Sequence, residues 1–587
     1  MSRMRRTLTR AICIFSLLAV VVLWPIPLLA TNYTVKTGGG GNFATIQACA
    51  TAAVAGDTCT VYAGSYAGWT QKTSGSAGSP ITFTVNPGDT VNITSTVTVT
   101  NTNYITIGAP DAGGGCANSG RKTGAGGANP SFTVGGCFIF QNAGIQGPSC
   151  GSGNHTNHFH LTYNTSRGIR PPQWVTFAQG SSGGGCSPYV DTTSDDNYFA
   201  HNDVNWNIDH PSAPFCNSQF LVYGLRNLFE YNEMQGTGAQ HIRVGGSFNV
   251  IRSNYAHDDN GNTSLGCGQS PEHIDFFFLQ GGDAPAISFS LVESNVWKNC
   301  SNDQGNCKFS FARASGADAN NTADTVVSRY NYIYNLDGGY AGAGDQSDGS
   351  NTTPNWHAYN NTAATEAQNA GSGSCGSWLS GIAVQLNTIC YDTTNGQWSP
   401  ILFSGSGAIP VGSFSDGDLA FTTLCSNCAW NGGTSVYINE ATFSALANKT
   451  PSFANYPTDG TLQAGSPARN AGVALTAVLS GCGTNLLTVA DSRFFQPGWG
   501  PNDKSIPADW VQIGSSTTAQ ITAVNYNNNI LTFSSSVACS TGDALYLYKD
   551  SQGNVLLNGA KPDIGAYPYT GGTAKVTPPS GLAAVVN

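Results

Sequence analysis

The sequence predicts an all-β chain wound mainly as a right-handed parallel β-helix. A short N-terminal cap helix and a small antiparallel β insertion near the C-terminus complete the expected fold. Three observations carry this reading. Apolar residues recur with period two in short runs, an asparagine returns once per run at coil-like spacing, and only 10% of the 587 residues are charged while 40% are apolar. Period two marks strands, and that apolar content is too high for a disordered chain. A chain this long outgrows one ordinary core, so it needs several domains or a repeat architecture.

Met1 to Arg10 carries Arg3, Arg5, Arg6 and Arg10 and no acid, and Ala11 to Ala30 is almost wholly apolar. A basic segment, an apolar stretch and a small residue at Ala30 predict a signal peptide over 1–30. The rival is a retained membrane anchor, because the apolar run approaches spanning length. Pro25 and Pro27 ahead of Leu28-Leu29-Ala30 favour cleavage. The expectation is a secreted protein, extracellular or at the cell surface, with no membrane span after cleavage.

The solenoid is expected over 31–473. Ile81-Thr-Phe-Thr-Val85, Val97-Thr-Val-Thr100, Tyr104-Ile-Thr-Ile107 and Phe138-Ile-Phe140 open it as alternating strands. A repeat follows, first as Asn197-Tyr-Phe-Ala-His-Asn202-Asp-Val204, then around Asn232, Asn254, Asn295, Asn331 and Asn387. The gaps from Asn202 through Asn331 are 30, 22, 41 and 36 residues. The shortest is close to one β-helix coil, and the longer ones are coils with loops pushed out. Each coil leaves strand edges unpaired and buries its apolar face only when another coil stacks on it. Asparagine suits the bend because it tolerates left-handed backbone and its amide can bond the asparagine of the next coil.

The opening, Tyr33-Thr-Val-Lys, Phe43-Ala-Thr-Ile-Gln47 and Gly56-Asp-Thr-Cys-Thr-Val-Tyr-Ala63, resembles that of bacterial pectin-lyase-like β-helix proteins. In those a short amphipathic helix, here about Ile46 to Ala53, caps the open end. Gly465-Ser-Pro-Ala-Arg-Asn-Ala-Gly472 and Pro562-Asp-Ile-Gly-Ala-Tyr567 resemble the paired closing signatures of such exported proteins. The resemblance spans most of the chain and is specific for fold. The superfamily mixes lyases, hydrolases, epimerases and binding proteins, so fold alone does not assign activity.

Between the closing signatures, 474–557 reads as an inserted small β unit. Trp510-Val-Gln-Ile-Gly, Ala519 to Val524, Ile530-Leu-Thr-Phe533 and Ala544-Leu-Tyr-Leu-Tyr548 alternate, and Asn527-Asn-Asn529 supplies a hairpin turn. A cap over the last coils is the favoured role and a carbohydrate-binding module the alternative. The stretch 558–570 closes the β-helix, and 571–587 is linker-like.

Seventeen cysteines are present, and Cys13 leaves with the signal, so an even set remains in an exported chain. Disulfides are then the default. Neighbours pair as Cys49–Cys59, Cys116–Cys137, Cys300–Cys307, Cys375–Cys390 and Cys482–Cys539. Cys425-Ser-Asn-Cys428 reads as a loop staple rather than a zinc element, for want of a second such pair.

Without the four signal arginines the balance is 20 basic to 34 acidic groups. That argues against nucleic acid and anionic membranes as partners but leaves an acidic polysaccharide open. Between Asp195 and Ser350 lie 18 of the 34 acids and five of the nine histidines. Such clustering on a low-charge solenoid points to a site; solvated long loops are the alternative.

Two segments stand out there. In Gly238-Ala-Gln-His241-Ile-Arg243 the spacing places His241 and Arg243 on one strand face. The segment is similar to an Ile-Arg-containing coil of β-helix lyases of alginate and chondroitin, where basic side chains flank the substrate carboxylate. It lacks the expected acidic partner just upstream. Pro271-Glu272-His273-Ile-Asp275, with Gln280 beyond, resembles a His-x-Asp motif of several uncharacterised β-helix families. Lys308-Phe-Ser-Phe-Ala-Arg313 adds two cations.

A polysaccharide β-eliminase must neutralise a uronate carboxylate, abstract the adjacent proton and protonate the leaving oxygen. Lys308 or His241 as base, Arg243 or Arg313 as clamp, and His273 as acid meet that demand, with Asp275 beside them. A hydrolase would need two facing carboxylates, for which Asp203, Asp209, Asp258, Asp259 and Asp275 are available. The polygalacturonase aspartate pattern is absent as a set. Asp258, Asp259 and Asp345 are candidate oxygen ligands for Ca2+; solvated turns are the bland alternative.

The expectation is a monomeric extracellular carbohydrate-active enzyme cleaving a uronate-containing polysaccharide, with β-elimination ahead of hydrolysis. The rival is a non-catalytic glycan-binding or adhesive solenoid, using Trp174, Trp206, Trp297 or Trp378 to stack on sugar rings.

Overall fold

The computed structural model describes residues 29–108, 137–148, 154–167, 174–177, 194–205, 218–236, 240–261, 274–280, 288–302, 307–313, 325–336, 355–365, 382–392, 413–422, 449–457 and 460–569. The signal peptide expected over 1–30, apart from its last two residues, lies outside them, as does the tail at 571–587. Among the described residues no helix is long and apolar enough to cross a membrane.

Three parallel sheets wind into the expected right-handed β-helix. Sheet A holds 13 described strands from Asn32–Val35 to Phe414–Asp416, sheet B 12 from Gly64–Tyr66 to Leu419–Thr422, and sheet C seven from Val97–Thr98 to Cys307–Arg313. In the coils where all three strands are described, the chain runs A to B to C. At the N-terminal end the Ile46–Ala52 helix is capped by Thr45, whose side chain accepts from the Ala48 amide, and it buries Ile46, Cys49 and Ala50.

The asparagines form ladders at two corners. At the A-to-B bend each amide donates to the next coil's asparagine, from Asn202 to Asn232 (2.9 Å), Asn254, Asn295, Asn331 and Asn361 (3.0 Å each). A second ladder at the C-to-A bend links Asn197 to Asn227 (3.0 Å) and Asn227 to Asn249 (3.2 Å). The left-handed backbone expected of these asparagines belongs instead to the residue before each, such as His201, Tyr231, Ser253 and Ser294. Asparagine is therefore selected here by its amide. Its oxygen also accepts the preceding coil's backbone N–H, and its Nδ2 donates to a strand carbonyl of the preceding coil, as Asn254 does to Phe229.

Phenylalanine, valine and isoleucine fill the interior together with Trp69, Trp174, Trp297 and Trp356, all 2% exposed or less. Trp174 and Trp297 are core residues, which removes them from the set proposed to stack on sugars. Trp206 and Trp378 lie outside the described residues.

The expected insertion is a closed six-stranded antiparallel barrel, Thr476–Ser480 through Ala544–Lys549. It lies along the outer face of sheet A, in one apolar cluster with residues from Tyr198 to Leu386 of the later coils. Tyr198, Leu228, Val250, Leu291 and Val327 pack there against Phe494, Phe495 and Trp499. Buried charges cross the same contact. Arg329 pairs with Glu293 of sheet A and with Asp509 of the insertion at 2.7 Å each, and Arg252, paired with Glu230 within sheet A at 2.7 Å, donates across to the Ser551 carbonyl at 2.8 Å. The two closing signatures bond each other across the insertion, Gly472 N–H to Pro562 O at 2.9 Å and Ile564 N–H to Ala468 O at 2.8 Å. Tyr567 then packs with Tyr332 on the outer face of sheet B.

Three expected disulfides are present: Cys49–Cys59, Cys300–Cys307 and Cys482–Cys539. Cys137 and Cys390 are also disulfide-bonded. Their expected partners Cys116 and Cys375, and the pair Cys425 and Cys428, lie outside the described residues.

Candidate functional site

The barrel covers sheet A and the closing segment covers part of sheet B, while the candidate cations lie on sheet C. Three of its strands, Gln240–Gly245, Ile274–Gln280 and Cys307–Arg313, stack in parallel register. Register places Gln240, Asp275 and Lys308 in one outward row, and Leu221, Arg243 and Phe278 in the next. Tyr223, Gly245, Gln280 and Arg313 occupy a third row of positions. Beneath them Ile242, Val244, Phe277 and Leu279 belong to the core.

Arg243 and Lys308 project from the two strands on either side of Ile274–Gln280. The Arg243 guanidinium carbon lies 5.2 Å from the centroid of the Phe278 ring, within cation–π range. It also sits beside the Tyr223 hydroxyl, whose pKa burial raises and Arg243 pulls back by charge and hydrogen bond. Lys308 is 3% exposed and interacts electrostatically with Asp275, which is wholly buried. Burial lowers the Lys308 pKa and the neighbouring carboxylate opposes that shift. Both cations thus lean on the middle strand. Arg313 occupies the expected strand, and His273 and Asp345 lie outside the described residues.

His241 departs from the expected face. It is wholly buried, and so is Ile242, so strand alternation breaks between them. Its Nδ1 lies 2.8 Å from Gln219 Oε1 and its Nε2 2.7 Å from Asp259 Oδ2. A histidine with both ring nitrogens held in the interior does not reach a substrate on the outer face, and this corrects its assignment as a base.

The calcium set does not assemble either. Asp259 is 2% exposed, and its oxygens accept from Gly236 N–H (2.9 Å) and Trp297 Nε1–H (2.9 Å) besides meeting His241. Asp258 meets His257 Nδ1 at 2.9 Å and accepts from Asn299 Nδ2 at 3.0 Å. Adjacent in sequence, the two carboxylates serve different partners, one inside and one at the B-to-C corner. Among the described residues no group of three or more His, Cys, Asp or Glu side chains is arranged to hold a metal. Asp258 and Asp259 therefore do not fit a shared Ca2+ ion.

The hydrolytic candidates are likewise dispersed. Asp203 is in register with Glu233 on sheet B, Asp259 faces the interior, and Asp275 stands on sheet C. Asp209 lies outside the described residues. Sequence reasoning missed Tyr223, whose signal is faint because a strand-end tyrosine carries no motif. It also missed His257, which meets Glu233 at 3.2 Å.

No protein-family model and no curated protein matches the sequence. Among solved structures the chain is similar to pectate lyase Pel9A, at 13% identity and TM-score 0.28, over 77% of this chain and 93% of that one. It is similar to the PL6 family alginate lyase AlyGC, at 10% identity and TM-score 0.32, over 72% and 56%. A third likeness is to XylC in complex with xylose, at 10% identity and TM-score 0.32, over 88% and 99%. Likenesses of this size carry no argument about activity. By its own three stacked parallel sheets and capped first coil, the chain is a right-handed parallel β-helix.

Proposed function

We propose that this protein is an extracellular carbohydrate-active enzyme that cleaves a uronate-containing polysaccharide by β-elimination on the outer face of sheet C. The observation that supports this most is the convergence of Arg243 and Lys308 on one strand from opposite sides. Their strands lie two spacings apart, about 10 Å, and their register positions three residues apart along the strands, about 10 Å more, so both long side chains must reach inward to meet one sugar.

Arg243, with the Tyr223 hydroxyl beside it, binds the uronate carboxylate, and this makes the adjacent C–H more acidic. Lys308 takes that proton. Burial favours its neutral amine, the form a base requires. The C–H electrons become the new C=C bond, the bond to the leaving oxygen breaks, and that oxygen takes up a proton. Asp275 holds the lysine in the row. In the same reading His273 supplies the acid and Arg313 a second clamp.

The test is incubation of the purified protein with uronate-containing and neutral polysaccharides, each with calcium and with chelator. Unsaturated-uronate absorbance rising with reducing ends is the expected result, lost in Arg243→Ala and in Lys308→Ala protein that circular dichroism shows to be folded. Reducing ends without absorbance would indicate hydrolysis. Binding without any product would favour the adhesive solenoid.

A further inference from the structure

We propose that the buried His241–Asp259 pair and the Cys300–Cys307 disulfide form one interior brace that positions Asp275 and Lys308 on the outer face of sheet C. The brace itself rests on geometry; only the catalytic role of Lys308 rests on the function proposed above.

The brace runs through four successive coils at the corner between sheets B and C. Gln219 Oε1 meets His241 Nδ1 at 2.8 Å, His241 Nε2 meets Asp259 Oδ2 at 2.7 Å, and Trp297 Nε1–H donates to that same oxygen at 2.9 Å. Gln219 is anchored in turn by its Nε2, which donates to the Gln235 carbonyl at 2.9 Å. Gln219, His241, Asp259 and Trp297 are each 2% exposed or less. Asp259 is in register with Cys300 of the next coil. Cys300 is bonded to Cys307, the residue immediately before Lys308. Cys307 is itself in register with Ile274, and Lys308 with Asp275.

The corner needs such a device. Strand alternation decides which side chains face outward, and a slip of one residue sends every side chain to the other face. At this corner the alternation is already broken, because His241 and Ile242 both point in, and so do Phe276 and Phe277. Where alternation restarts determines whether Asp275 and Lys308 stand outside. Fixed hydrogen bonds in a dry interior hold that point, and the disulfide closes the loop directly ahead of Lys308. His241 and Asp259 are on this account positioning residues.

The test is a 13C-lysine NMR titration, with Lys308→Arg assigning the Lys308 signal. In the native protein its midpoint is expected below the ordinary lysine value. In Asp259→Asn and in the double variant C300A/C307A it should rise toward that value by about one pH unit as water enters the site. On a uronate polymer kcat should fall about tenfold with KM nearly unchanged. A midpoint that stays in place in the folded variants overturns the brace. If circular dichroism shows that Asp259→Asn does not fold, the double variant decides alone. A moved midpoint in a protein lacking eliminase activity keeps the brace and refutes the proposed function; an active protein with an unmoved midpoint does the reverse.

Discussion

Arg329→Met should cost about 4 kcal/mol of stability, within the range for breaking a buried ion pair. Arg329 Nε donates to Glu293 Oε1 at 2.7 Å, and Nη1 donates to Tyr359 Oη at 2.8 Å and Asp509 Oδ2 at 2.7 Å. Nη2 donates to Asp509 Oδ1 at 2.8 Å. All three charged side chains are fully buried. Methionine matches the stem and removes the charge, so two carboxylates remain facing each other out of water. Two features limit the damage. Asp509 keeps Gln496, whose backbone and side-chain N–H groups donate at 3.0 and 2.9 Å, and Glu293 keeps the Ser551 hydroxyl. Burial also pushes the Asp509 carboxyl pKa up, so a proton can neutralise it, and the loss should be larger at pH 8 than at pH 5. Urea unfolding followed by circular dichroism measures the loss, and hydrogen exchange of Trp510–Ile513 reports whether the barrel has loosened from sheet A. The triple variant Arg329→Met, Glu293→Gln, Asp509→Asn removes all three charges and should recover most of the loss. A single-variant loss below about 1 kcal/mol, with exchange unchanged, would refute the claim that this cluster joins barrel to solenoid.

Other consequences are independent of that one. Burial would lower the His257 pKa, but hydrogen bonds with Asp258 and Glu233 raise it to about 9. Its contribution is therefore complete below about pH 6.5 and lost as pH rises through about 9; His257→Gln should flatten that alkaline decline in melting temperature. Asp550 is raised to about 6 by burial and by the nearby Glu293 charge. Its stabilising proton is held at low pH and lost as pH rises through about 6, so Asp550→Asn should lessen the fall in urea midpoint between about pH 4 and 6. Asn254→Ala removes donors to Asn295, Phe229 and Arg252 and an acceptor for Asn232, all buried. A loss of about 4 kcal/mol in urea unfolding is expected. The exposed Asn42→Ala should cost far less.

Much of the architecture was legible in the residues because its determinants are local. Asn202, Asn232, Asn254, Asn295 and Asn331 mark successive coils whatever the loops between them do, since each bonds the next at a bend of fixed shape. The disulfides Cys49–Cys59 and Cys300–Cys307 close short segments that nearest-neighbour spacing identifies. The candidate site was legible only in part. Arg243, Asp275 and Lys308 share the outer face of sheet C, while His241 and Asp259 belong to the interior.

By itself, then, the sequence determined the strand period, the coil signature, the N-terminal cap helix and the presence of an antiparallel β unit near the C-terminus. Tertiary structure decided which sheet that unit covers, which tryptophans are core, and which of two neighbouring polar residues faces water. The physical reason is that alternation predicts faces only within an uninterrupted strand. At the corner before Ile242 it is reset, and the new phase is set by contacts from residues far away in sequence: His241 bonds Gln219 and Asp259, 22 and 18 positions distant.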